Sequence, residues 1–145
     1  MPTAARMKCT YLYHDTDIIE LRIAVGNGRF CGAADVYVGV GQLLEVCALL
    51  QGFPKHSKDT REVTLGAFGS KFAGGAACLE FYCRDLAGHA VLRATIEADY
   101  ELEDASQSAV VITDIEPAAL DIFLAELQLI EKNLEGSAEL KFANV

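Results

Sequence analysis

A chain of 145 residues is the size of one ordinary domain with a single sizeable core, and its composition, 52% hydrophobic and 23% charged, excludes wholesale disorder. The net charge of -9 at pH 7 disfavours nucleic acid as a partner, because neutralising phosphates requires clustered cations. No apolar run approaches the roughly 18 residues of a membrane span, and the opening "MPTAARMKC" lacks the apolar stretch of a secretory signal, so no membrane association and a cytoplasmic location are expected.

The whole chain, residues 1–145, reads as one domain with residues 1–8 flexible. "CTYLYH" (9–14) alternates weakly and suits an added edge strand. "IIELRIAVGNGRFCGAADVYV" (18–38) reads as a hairpin, with Asn27-Gly28 as a two-residue turn of the kind that needs positive φ at both positions. That turn sets Gly26 opposite Arg29 and pairs Val25 with Phe30, Ile23 with Gly32, Leu21 with Ala34 and Ile19 with Val36 on one face. On the other face it opposes Glu20 to Asp35, a like-charged pair of modest cost.

"VGQLLEVCALLQG" (40–52) carries Leu43, Leu44, Cys47 and Leu50 at helical spacing, with Gly52 as its stop. The polar loop "KHSKDTR" leads into a strand, "EVTLGAF", and "GSKFAGG" forms a second loop. "CLEFYCRDLAGHAV" and its continuation form another hairpin. A four-residue loop at 85–88 sets Arg84 opposite His89, so that Leu79/Ala94 and Phe81/Leu92 share an apolar face while Glu80/Arg93 make an ion pair on the other. After an acidic connection, "SAVVITDI" is a further strand. Pro117 then starts a helix with the stripe Leu120, Phe123, Leu124, Leu127, Ile130 and Leu134, widened by Ile122 and Leu129 and ended by Gly136. The order β-β-α-β-β-β-β-α predicts an α+β fold: a mainly antiparallel sheet of about six strands with two helices on one face.

Several residue groupings invite a chemical reading. Cys78, Cys83, Asp85 and His89 lie close in sequence, yet a five-residue separation on a strand sends the two thiols to opposite faces. They also stand about 16 Å apart at roughly 3.3 Å per residue, so no metal site or cysteine nucleophile is expected. The five cysteines, odd in number and without a C-x-x-C pair, read as small apolar side chains in a reducing compartment. "GNGRFCG" precedes a strand and not a helix, and so lacks the helix N-terminus that a dinucleotide site uses. "HDTD" (14–17) reads as a polar loop without matching ligands elsewhere. No catalytic residues, metal or cofactor are therefore predicted.

Two charged groupings remain. Lys55, His56, Lys58, Arg61 and Lys71 offer a candidate anion cradle on two loops. Between residues 94 and 131 no Lys or Arg occurs, while ten of the 21 acids fall there. Within that stretch Glu97, Asp99, Glu101 and Glu103 alternate at spacing two, followed by Asp104, so one strand end aims several carboxylates the same way. Such a surface favours a basic protein partner.

The combination of "FPK", "EVTLGAFGSKFAGGAACLEFYCRDLAGHAVLRATIEAD" and "EPAALDIFLAELQLI", spread over residues 18–135, resembles a group of small bacterial proteins. Some similar sequences are regarded as immunity proteins of polymorphic toxin systems, including the immunity group associated with wall-associated toxins. The resemblance implies a non-enzymatic binding protein whose partner is a toxin. A small-molecule or anion-binding domain is the alternative, as is a homo-oligomeric module joined through the wide flank of the C-terminal helix.

Overall fold

The computed structural model describes residues 5–69, 71–99 and 107–143. Among them the elements run β1 (Arg6–His14), β2 (Ile18–Gly26), β3 (Cys31–Gly39), α1 (Gln42–Leu50), β4 (Arg61–Gly66), β5 (Ala76–Cys83), β6 (Ala90–Glu97), β7 (Ser108–Asp114), α2 (Pro117–Asn133) and β8 (Ser137–Lys141). The fold is α+β and its strand pairs are antiparallel. The single sheet of about six strands is corrected, however, to two sheets of four, ordered β3-β2-β1-β8 and β4-β5-β6-β7.

Two strands account for the extra number. "CTYLYH" belongs to β1, which is an interior strand because β8 pairs along its other side. β8 itself escaped the sequence reading: five residues that bury only Ala138 and Leu140 are too short a run to display alternation. Arg6, Met7 and Lys8, expected within a flexible lead-in, open β1, and Met7 is fully buried.

β3 does not extend the second sheet but crosses it, touching β4, β5, β6 and β7. Small residues make this crossing possible. Gly32 lies against Ala109 and Ile96, Gly75 against Ala34, and Gly66 against Val36. A Cβ on Gly75 would collide with the Glu97 carbonyl oxygen and stand 2.9 Å from the Ala34 Cβ. The Gly75 N–H uses the same proximity to donate to the Asp35 carbonyl at 2.7 Å, stitching the sheets together.

The helices also link the two sheets. α1 and α2 pack on each other, α2 lies along β8 of the first sheet, and α1 reaches β4 of the second. α1 buries Leu43, Val46, Cys47 and Leu50; Leu44, assigned to that stripe from spacing, is half exposed and Val46 takes its place. Because Gly41 at the α1 N-terminus has no side chain, Glu131 of α2 supplies the acceptor, taking the Gly41 N–H at 2.8 Å. A carboxylate there also suits the positive end of the helix dipole. The inner faces of both sheets and the buried helix stripes form one contiguous apolar cluster.

The two hairpins differ in how closely they follow expectation. In β5–β6, Cys83 pairs with Ala90, Phe81 with Leu92 and Glu80 with Arg93, the predicted register, and the last pair lies 3.6 Å apart. In β2–β3 the register is shifted by two residues. Gly26 pairs with Cys31, Arg22 with Asp35 and Glu20 with Tyr37. The Asn27 side-chain oxygen accepts the N–H groups of Arg29 and Phe30, and positive φ is confined to Gly28. The loop therefore takes four residues where two were expected. An even shift keeps the strand side chains on their predicted faces, but Phe30, expected inward opposite Val25, falls in the loop and is exposed. The shift also replaces the like-charged Glu20/Asp35 opposition by an Arg22–Asp35 ion pair at 2.8 Å.

The crossing predicts a contrast between two glycines. Gly75→Ala overpacks the junction and lowers stability by about 1–3 kcal/mol. Gly39→Ala, where a Cβ meets nothing within 4 Å, changes it by no more than about 0.5 kcal/mol. Urea-unfolding midpoints of the two variants measure the difference.

Candidate functional site

The outward face of the first sheet carries an unusual row. Alternation turns Glu20 and Tyr37 away from the core, and the observed register sets them directly opposite one another. β1 joins the row through a bulge. Tyr11 still opposes Leu21, but Tyr13 opposes Glu20, leaving Leu12 as the extra residue. Without that bulge Tyr13 would oppose Ile19 and point inward; with it, Tyr13 stands outside. Three adjacent strands thus present Tyr13, Glu20 and Tyr37 side by side.

The connection from β4 to β5 forms a wall over this row. Gly74, at φ 78, lies so close that a Cβ would stand 2.8 Å from the Tyr37 ring, so only glycine lets the chain rest there. Phe72 projects from the same connection. The result is a groove of about 610 Å³ lined by Tyr13, Ile18, Glu20, Tyr37, Phe72 and Ala73, among others. Tyr13 is 58% exposed and Phe72 56%, which is unusual for large side chains in a cleft and leaves both available for contact.

The groove is electrically negative. The nearby Glu20 charge, first of all, and then partial burial push the Tyr37 phenol above its ordinary pKa; the charges of Asp99 and Asp35 add to the effect. Asp35 is itself neutralised by Arg22, whose Nε and Nη2 donate to its two oxygens at 2.8 and 3.1 Å. Glu20 makes no ion pair among the described residues.

The predicted acidic strand end meets this groove at its edge. Glu97, the last residue of β6, accepts the Gly69 N–H at 3.0 Å and so anchors the connection that carries Phe72. Asp99 follows, exposed, with its backbone nitrogen beside Gly75. Glu101, Glu103 and Asp104 lie outside the described residues. Sequence reasoning missed Glu20, Tyr13 and Tyr37. The available signal was the polar-face alternation of β2 and β3, but the shorter turn concealed which residues oppose one another.

The candidate anion cradle is not assembled. The Arg61 guanidinium is committed inward, its Nη1 donating to the Leu49 and Gln51 carbonyls at 3.1 and 2.7 Å and its Nη2 to Asp59 at 2.8 Å. It also lies 5.6 Å from the Phe53 ring centroid, so it fastens the end of α1 to the loop. Lys55 and Lys58 are exposed, and the Nδ1 of His56 accepts the Lys58 N–H at 3.2 Å. Lys71 belongs to the connection beyond Gly66, at the opposite end of β4 from Arg61. Six residues of strand place about 17 Å between those ends.

The other groupings are locally satisfied. Asp15 accepts the N–H groups of Asp17 and Ile18, which holds its carboxyl below the usual range, and His14 is hydrogen-bonded to the Tyr11 hydroxyl at 2.7 Å. His89 bonds Asp85 at 2.6 Å across the β5–β6 loop. Burial pushes the Cys9 thiol up to about 12 and raises those of Cys47, Cys78 and Cys83, so none of the four is a thiolate near neutral pH. No three His, Cys, Asp or Glu side chains among the described residues converge as metal ligands. No helix among them is long and apolar enough to cross a membrane. No protein-family model matches the chain, and neither does any curated protein or solved structure.

The Arg61 cluster carries a pH prediction. Arg61 beside it, first of all, and then the Lys55 N–H hold the Asp59 carboxyl below its ordinary value. A depressed carboxyl contributes stability that is present above the unfolded value of about 4 and lost as pH falls through the folded one. Asp59→Asn therefore lowers stability at pH 7 and flattens its decline below about pH 4. Arg61→Lys also lowers the melting temperature, since an ammonium cannot span the same acceptors. Denaturant titrations between pH 3 and 7 read the first effect and thermal unfolding the second.

Proposed function

We propose that this protein is a non-enzymatic binding protein of immunity type, acting in the cytoplasm by docking a basic partner protein on its acidic surface. The observation that supports this reading is the arrival of carboxylates from distant parts of the chain at one exposed surface: Glu20 from β2 and Asp99 from beyond β6, both felt by Tyr37. The segment that supplies Asp99 contains no compensating Lys or Arg up to residue 131. A negative field over such a patch accelerates encounter with a positively charged surface and penalises acidic competitors. A toxin with a basic surface, such as one that handles nucleic acid, has the required charge.

Self-assembly is the second reading, favoured by Ile122 and Leu129. Both are more than half exposed, and their spacing of seven residues puts them on one side of α2. This flank adjoins β8, an edge strand of its sheet.

Capture from lysate followed by identification of the captured protein tests the leading reading. The triple variant Asp99→Lys, Glu101→Lys, Glu103→Lys leaves the Glu97 anchor intact. It should lower recovery of a basic partner at least tenfold, and wild-type recovery should fall as salt shortens the Debye length from about 10 Å toward 3 Å. Unchanged recovery in the variant, or indifference to salt, rejects electrostatic docking. For self-assembly, light scattering should report a multiple of the chain mass that Ile122→Glu reduces to one; a single-chain mass in the wild type rejects it.

A further inference from the structure

The groove across β1, β2 and β3 has a narrower chemistry than the acidic surface around it. Its walls are aromatic, and its floor is the Glu20 carboxylate, beside the neutral Tyr37 phenol. An anion would be repelled by Glu20, and a purely apolar ligand would bury that carboxylate without compensation. A cation gains from both components, because the faces of Tyr and Phe rings attract positive charge as the carboxylate does.

Strand spacing sets the size. Neighbouring strands lie about 4.8 Å apart, so Tyr13 and Tyr37, two strands apart with Glu20 between them, are separated by roughly 10 Å at their Cβ atoms. That leaves room for one flat group above Glu20 and between the rings. A guanidinium suits this better than an ammonium: it is planar, weakly hydrated, stacks on aromatic faces and can present two N–H groups to one carboxylate. Neither nearby cation of the chain fills the position. Arg22, two residues along β2 on the same face, is held by both oxygens of Asp35, and Lys71 does not line the groove.

Two departures from regular structure build the site. The bulge at Leu12 brings Tyr13 onto the Glu20 row, and the glycine at 74 seats the connection carrying Phe72 against Tyr37. Neither is required to close the core, since the buried residues of β1 and β2 lie on the opposite face.

We propose that the Tyr13–Glu20–Tyr37 groove receives an arginine side chain of the partner protein, its guanidinium paired with Glu20 and stacked against the aromatic walls. This inference rests on the binding role proposed above and assigns that role its anchor. Asp99, at the groove's edge, steers the partner in, and the groove holds it.

The test uses the full chain and two matched probes, N-acetyl-arginine amide and its neutral isostere N-acetyl-citrulline amide, titrated while the aromatic resonances are followed by NMR. The arginine probe should shift Tyr13, Tyr37 and Phe72 saturably, with the citrulline probe at least fivefold weaker. Glu20→Gln and Tyr13→Ala should each weaken the arginine probe at least threefold; both positions face outward, and an unchanged far-UV spectrum verifies the fold. Equal binding of citrulline, no saturable shift, or an indifferent Glu20→Gln variant overturns the inference. An arginine-rich peptide at low salt separates it from the reading beneath it. Loss of peptide binding in the Asp99, Glu101, Glu103 reversal but not in Glu20→Gln keeps the acidic surface and removes the groove; retention in both variants removes both.

Discussion

The architecture depends on a strand crossing a sheet at close range. Sheets packed face to face ordinarily stand about 10 Å apart, because side chains from both fill the gap. β3 comes closer than that to the second sheet where Gly32, Gly66 and Gly75 have no Cβ to interpose. The contact is also polar, since the Gly75 N–H finds its acceptor in Asp35 of β3. Once this junction is made, the inner faces of both sheets and the helix pair close a common core on one side. On the other side, the connection from β4 to β5 runs over Tyr37, with Gly74 against its ring. The groove lies beside the junction: its floor belongs to one sheet, its wall to the other, and two contacts tie them together, at Gly75 and Gly74.

The sequence was most legible where side-chain pairing alone decides the structure. The β5–β6 hairpin follows its predicted register because only one alignment places Leu79, Phe81, Leu92 and Ala94 together and also pairs Glu80 with Arg93. In β2–β3 the same reasoning found the faces but not the partners. Two alignments separated by two residues bury the same strand side chains, Phe30 apart, and the choice between them rests on what the Asn27 side chain does in the loop. That small ambiguity concealed the Glu20–Tyr37 pair. The bulge at Leu12 is harder still to read, since "CTYLYH" carries no glycine or proline to announce it. β8 was missed because a strand of five residues gains its stability from the β1 edge it covers and not from its own pattern.

Charge was legible as a count but not as a commitment. Arg61 belongs by sequence to a basic loop; in the structure its donors are taken by two carbonyls at the end of α1 and by Asp59, so its role is to hold the loop. Glu97 opens the acidic run, yet one of its oxygens anchors Gly69. Glu131, deep in the same run, caps α1. These groups stabilise the fold by satisfying backbone donors and acceptors that would otherwise lack partners. The acids best suited to meet a partner are those without such duties, and Asp99 and Glu20 are the described examples at the groove.

The field over the groove bears on the binding role proposed for it. The negative surroundings raise the Tyr37 pKa, so its hydroxyl stays protonated near neutral pH. The same field defines what would relieve it. A cation placed over Glu20 offsets the charge that raises the Tyr37 pKa, and the phenol returns toward its ordinary value as the site fills. The interaction is reciprocal: the energy by which Glu20 disfavours a phenolate is available to favour a guanidinium in its place. Under the proposed binding role, a cleft whose negative field is offset by a positive group, and reinforced by a negative one, would discriminate between partners by charge.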